Sequence, residues 1–168
     1  MLEEAQEVAQ AGRDGSFEQR MQQVRRQREQ RTTELFDVPG FEGIFRVELQ
    51  VLGAKRMSDI AFGHARQRDD SLRALYIQAD QVLAATVGFH MVQDDGSVAE
   101  ADGMTWLDAA RAYDPALNAT IRPRVALIRL LDDGKGLGEL HGDWYVWNTR
   151  GNESVNQGLA EDFRGMLS

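Results

Sequence analysis

The sequence predicts a mainly α-helical domain with one short β-strand pair and an N-terminal helical arm. Three observations carry that prediction. Apolar residues recur at helical spacing over residues 71–87, 121–133, 140–147 and 155–166, whereas period-two alternation is clear only in Phe45–Leu52. Residues 1–35 are dominated by Glu, Gln, Arg and Ala, and their apolar stripe is too narrow to fold alone. The 168 residues have room for one core plus an arm, divided here as a charged helical arm (1–35), a mainly helical core (36–150) and a C-terminal amphipathic helix (151–168).

In the arm, Phe17, Met21 and Val24 follow i, i+4, i+7 before Arg28 and Arg31 take over the next turns. Pro39-Gly40 marks a turn, after which Phe45, Val47, Leu49 and Val51 alternate with polar residues as in a half-buried strand. Residues 55–68 are polar and basic, with room for a short helix from Ser58 or Asp59. The strongest helical stripe is Leu72, Leu75, Tyr76, Ala79, Val82, Leu83 and Val87, started by Asp69, Asp70 and Ser71 and stopped by Gly88. Phe89–Val92 reads as a short strand before an Asp95-Gly96 turn. Thr105 and Asp108 form a capping-box pattern for a helix to Tyr113, and Asp114-Pro115 restarts a helix. The next long helix runs from about Ile121 to Asp133, with Val125, Leu127, Ile128 and Leu131 buried, and Gly134, Gly136 and Gly138 form a hinge. Leu140, Trp144 and Trp147 share a face, and Val155, Leu159, Phe163 and Met166 make the closing stripe.

Composition narrows the function. A net charge of −8 disfavours binding of nucleic acid by the whole molecule. The cluster Arg20, Arg25, Arg26, Arg28 and Arg31 runs against that charge. It reads first as a solvated helix face, and second as a contact for nucleic acid or for an acidic surface such as residues 94–114. No cysteine is present, which removes disulfides and thiolate metal sites. No apolar run reaches the ~20 residues of a membrane span, and Met1-Leu2-Glu3-Glu4 does not look like a signal peptide, so a cytosolic product is expected. His64, His90 and His141 lack ligand spacing. Asp94-Asp95-Gly96 fails the calcium-loop pattern, and Gly134-Lys135-Gly136 fails the phosphate-loop pattern. The expectation is a protein that binds, with no enzyme activity, cofactor or metal. Trp144, Tyr145 and Trp147 are either core packing or partner anchors.

The order of elements resembles the tail assembly chaperones of long-tailed (siphovirus) bacteriophages, in the versions found in phages of actinobacteria. The resembling parts are Val38-Pro39-Gly40 before FRVELQVL, the helix LRALYIQADQVLAATVGF with an Asp-Gly turn behind it, TWLDAARAYDPALNATIRPRVALIRLL, and a Trp-bearing helix with an amphipathic end. They cover about residues 36–165; the Arg/Gln arm departs from the pattern. The resemblance implies a non-enzymatic factor that keeps the tape measure protein soluble, helps recruit tail-tube protein subunits, and works in the host cytoplasm without entering the mature virion. It also implies that a longer, frameshifted product can accompany the short one. The stripes Phe17, Met21, Val24 and Val155, Leu159, Phe163, Met166 are the expected partner-binding residues, in a homo-oligomer that gains by avidity along one long partner. The alternatives are a head–tail connector or tail-completion protein of the particle, whose arm laces neighbouring subunits together, and a nucleic-acid-binding regulator using Arg20–Arg31.

Overall fold

The computed structural model describes residues 16–26 and 33–150. The chain divides into two compact units, Met1–Thr32 and Thr33–Ser168. In the first, residues 16–26 form helix α1.

The second unit is a mixed α/β domain. Its elements run β1 (Thr33–Asp37), β2 (Phe45–Gln50), α2 (Ala54–Gly63), α3 (Asp70–Ala85), β3 (Thr86–Val92), β4 (Val98–Glu100), α4 (Trp106–Tyr113) and α5 (Pro123–Leu130). A short 3-10 turn, Asp132–Gly134, leads into α6 over residues 135–150. The strands form one antiparallel sheet in the order β1-β2-β3-β4. This corrects the expectation of a mainly α fold with one short strand pair. The missed strands carried weak signals: Thr33–Asp37 is five residues with two acids, β4 is three residues, and the start of β3 continues the helical stripe of α3.

Strand β2 keeps the expected alternation, with Phe45, Val47 and Leu49 buried. The register places Val47 opposite Phe36 on one side and Phe89 on the other, so these side chains share one face. That face packs into a single core with Ala79 and Val82 of α3, Trp106 of α4, Leu127 of α5 and Trp144 of α6. Trp106 meets the Phe89 ring edge-on at 5.0 Å between centroids, and Phe45 lies 6.1 Å from Phe89. The other sheet face carries Leu35, Arg46, Glu48 and His90, none of them fully buried.

Helix α3 begins where the acids predicted, with Asp69 accepting from the Leu72 amide at 3.0 Å. It ends two residues earlier than the stripe implied, because β-branched Thr86 and Val87 open β3 with no intervening loop. The pairing shifts here: Glu48 faces Gly88, but Leu49 faces Thr86, which leaves Val87 as the extra residue of a bulge. Consequently Val87, expected in the helical stripe, is 53% exposed.

The Thr105–Asp108 capping box is present as expected. By contrast, residues 114–122 form turns and no helix, because Asp114 and Asn118 accept from the backbone amides two residues on. Helix α5 has Pro123 in its first turn and buries Leu127, with Leu131 buried just beyond it; Val125 and Ile128 are half-buried. The expected glycine hinge is a tight corner instead. Asp132, Asp133 and Gly134 all take positive φ, and Gly136 and Gly138 already belong to α6. A side chain at Gly134 would meet Leu75 at once.

Helix α6 is stitched to the end of β2 by polar contacts. Trp144 donates its indole N–H to the Gln50 carbonyl at 3.0 Å. The Asn148 amide accepts from the Leu52 N–H at 2.8 Å and donates to the Leu52 carbonyl at 3.1 Å, as a further strand would. Asn148 is fully buried. Asn148→Ala leaves both Leu52 groups unpaired and is expected to cost about 3 kcal/mol in urea unfolding, whereas exposed Thr149→Ala changes little.

Candidate functional site

Two of the open apolar surfaces among the described residues bear on binding. The first is the stripe on α1, where Phe17 is 52% and Met21 50% exposed and Val24 is half-buried. Three of the seven expected partner-binding residues therefore lie on one described helix. The other four, Val155, Leu159, Phe163 and Met166, lie outside the described residues, as does the whole 151–168 segment.

The second surface is a groove of about 430 Å³ where the end of α3 and the start of β3 meet α4. Its walls include Leu83, Val87, Phe89, Met104, Trp106 and Leu107. At its floor the Trp106 indole donates to the Thr86 hydroxyl at 2.8 Å, and that hydroxyl donates to the Val82 carbonyl at 2.7 Å. These polar atoms are spent on one another, which leaves the groove suited to apolar side chains. The groove leaves no local sign in the sequence, because its lining comes from three separated stretches, 83–89, 104–107 and Pro123.

The histidines go to separate structural partners. His64 donates to the Asp80 carboxylate at 2.6 Å, and the Arg124 guanidinium grips the same carboxylate at 2.8 and 2.6 Å. Arg124 also lies 5.0 Å from the Tyr76 ring centroid. Burial works to raise the Asp80 pKa, but Arg124 and His64 together overcome it and hold the carboxyl below its ordinary value. This cluster locks the residue after α2 and the helices α3 and α5 together. His90 donates to Glu48 at 3.0 Å, and His90 with Thr33 keeps the Glu48 carboxyl below its usual range. His141 donates to buried Gln81 at 2.7 Å and stacks on Tyr145. Burial depresses the His141 pKa. Among the described residues no group of His, Asp and Glu could hold a metal ion, and no helix is long and apolar enough to cross a membrane.

Of the aromatic trio, Trp144 is core and Trp147 packs edge-on against Phe36 at 5.6 Å, while Tyr145 is half-exposed. The Arg20–Arg31 cluster is described only in part: Arg20, Arg25 and Arg26 sit on α1. The acidic stretch is well placed, with Asp94, Asp95, Glu100, Asp102, Asp108 and Asp114 all exposed. The Asp94-Asp95-Gly96 segment is a hairpin turn with Gly96 at φ +83°, as its sequence implied.

No family model, curated protein or solved structure matches this chain. The resemblance to tail assembly chaperones rests on the quoted residues alone.

The pKa shifts give a signed pH dependence. The unfolded chain binds a proton at His141 more readily than the fold does, so acid favours unfolding as pH falls below the ordinary value of 6.5. Glu48 and Asp80 add stability that is present above their ordinary values of 4.5 and 3.8 and lost as pH falls through their lowered ones. Urea midpoints are expected to drop between about pH 7.5 and about pH 5.5, with a smaller drop in His141→Gln.

Proposed function

We propose that this chain is a non-enzymatic assembly chaperone of a long-tailed phage. It binds the tape measure protein, keeps it soluble, and helps bring tail-tube subunits to it in the host cytoplasm before leaving the particle. The observation that carries the reading is the open apolar stripe of α1, with Phe17 and Met21 half-exposed. Long helical proteins with apolar stripes aggregate unless those stripes are covered, and a helix with a free apolar face covers them by helix-on-helix packing. The resemblance over residues 36–165 supplies the partner, and the net charge of −8 keeps a coated complex soluble.

Co-expression of the full chain with the tape measure protein tests this. A tape measure protein that is insoluble alone is expected to become soluble and to co-purify. The double variant Phe17→Ser, Met21→Ser should lower capture about tenfold or more, since each lost anchor is worth on the order of 1–2 kcal/mol. A tape measure protein that stays insoluble, or stoichiometric amounts of this chain in purified virions, would overturn the reading; the second result would favour the connector.

A further inference from the structure

We propose that the groove beside Trp106 receives the basic helix α1 of a second copy of this chain. The proposal concerns the chain without its partner: the stripe that the chaperone reading offers to the tape measure protein is held by a second copy until that partner displaces it, so the two occupants compete for Phe17 and Met21.

The groove supplies the first half of the argument. Its polar floor atoms are already paired, and its volume of about 430 Å³ suits one or two large apolar side chains better than a polar metabolite. Val87, pushed outward by the bulge, forms part of its wall and is more than half exposed. The groove also sits inside the most acidic part of the chain. Met104–Leu107 lie between Asp102 and Asp108, and Glu100 and Asp114 are exposed on the flanking elements. Arg111, Arg122 and Arg124 are the basic exceptions in the neighbouring sequence, and Arg124 is already taken up by Asp80, so the carboxylates of these stretches outnumber the remaining guanidinium groups.

Helix α1 has the complementary character. Phe17 and Met21 stand one turn apart, roughly 6 Å along the axis. Both are half-exposed, so the stripe has room for a second molecule. Arg20 and Arg26 on the same helix bring the positive charge that the groove's surroundings lack. Seating Phe17 and Met21 in the groove buries the two apolar surfaces in one step, and the arginines meet the carboxylates at the rim, where they steer and orient the encounter. If each copy inserts its α1 into the other, the exchange closes as a two-fold dimer.

The chain has no cysteine, so single-cysteine variants report one contact each. Met21→Cys and Val87→Cys proteins, each checked for folding by circular dichroism, would be mixed in equal amounts and oxidised. An intermolecular disulfide between them is expected to form at least about tenfold faster than between Met21→Cys and the exposed control Asp143→Cys, and the rate should fall about tenfold between roughly 50 mM and 500 mM salt. In the cysteine-free background, Arg20→Gln with Arg26→Gln should weaken the dimer measured by light scattering, and so should Val87→Asp. Equal rates for Val87→Cys and the control, or a dimer indifferent to these substitutions, would overturn the proposal. So would loss of tape measure capture in Val87→Asp together with no specific disulfide between the Met21→Cys and Val87→Cys proteins, because the groove would then belong to another protein.

Discussion

Thr86 stands where α3 stops and β3 begins, and its hydroxyl holds three elements in register. It donates back to Val82 in the last turn of α3 and accepts the Trp106 indole N–H from α4. The Thr86 backbone amide meanwhile bonds to the Leu83 and Val82 carbonyls and closes the helix end. The direct helix-to-strand junction fixes where Phe89 enters the core, and Phe89 is the ring on which Trp106 packs. The bulge at Val87 follows from the same junction, because a chain leaving a helix without a loop does not arrive in strand phase. The groove exists because those constraints hold α4 beside the first half of β3 while leaving Val87 outside.

A second set of contacts fixes the opposite corner. Trp144 and Asn148 of α6 satisfy backbone groups at and beyond the end of β2, where no strand continues. Gln50 adds a bond to the Ala84 carbonyl, which ties β2 to the end of α3. Among the described residues no buried side-chain nitrogen or oxygen lacks a partner. The Asp80 cluster belongs to this scheme. Both carboxylate oxygens are bonded, to a guanidinium and to an imidazole, and these contacts join the residue after α2 to helices α3 and α5.

Patterns with local physics were legible in the sequence. The alternation of Phe45, Val47 and Leu49, the Asp69 cap and the Thr105–Asp108 box each depend on neighbours a few residues away. What escaped depends on distant partners. Thr33–Asp37 is a strand only because β2 lies beside it, and Val98–Glu100 only because β3 does. Asn148 is an unremarkable polar residue in sequence, and its role appears only once Leu52 faces it. The α1 stripe was legible as an apolar face, whereas the groove gathers side chains from stretches separated by whole elements. Val87 falls in phase with the helical stripe, and a β-branched residue there gives no local sign that the helix has ended.

Helix α2 has no fully buried residue, and its Phe62 is 79% exposed, yet it lies within the long connection between the two central strands. That arrangement divides the sheet into two local pairings and one long-range pairing. Each hairpin, β1–β2 and β3–β4, closes across a short turn, but β2 finds β3 only after residues 51–85 have come round. The loop-closure entropy of sheet formation therefore falls on one long-range event, and α3 carries the apolar surface that rewards it. Within this connection the constraint is uneven: α2 touches the core only through partly buried residues such as Met57 and Ile60 and tolerates change more readily than Leu52 or α3, on which the register of the two halves depends.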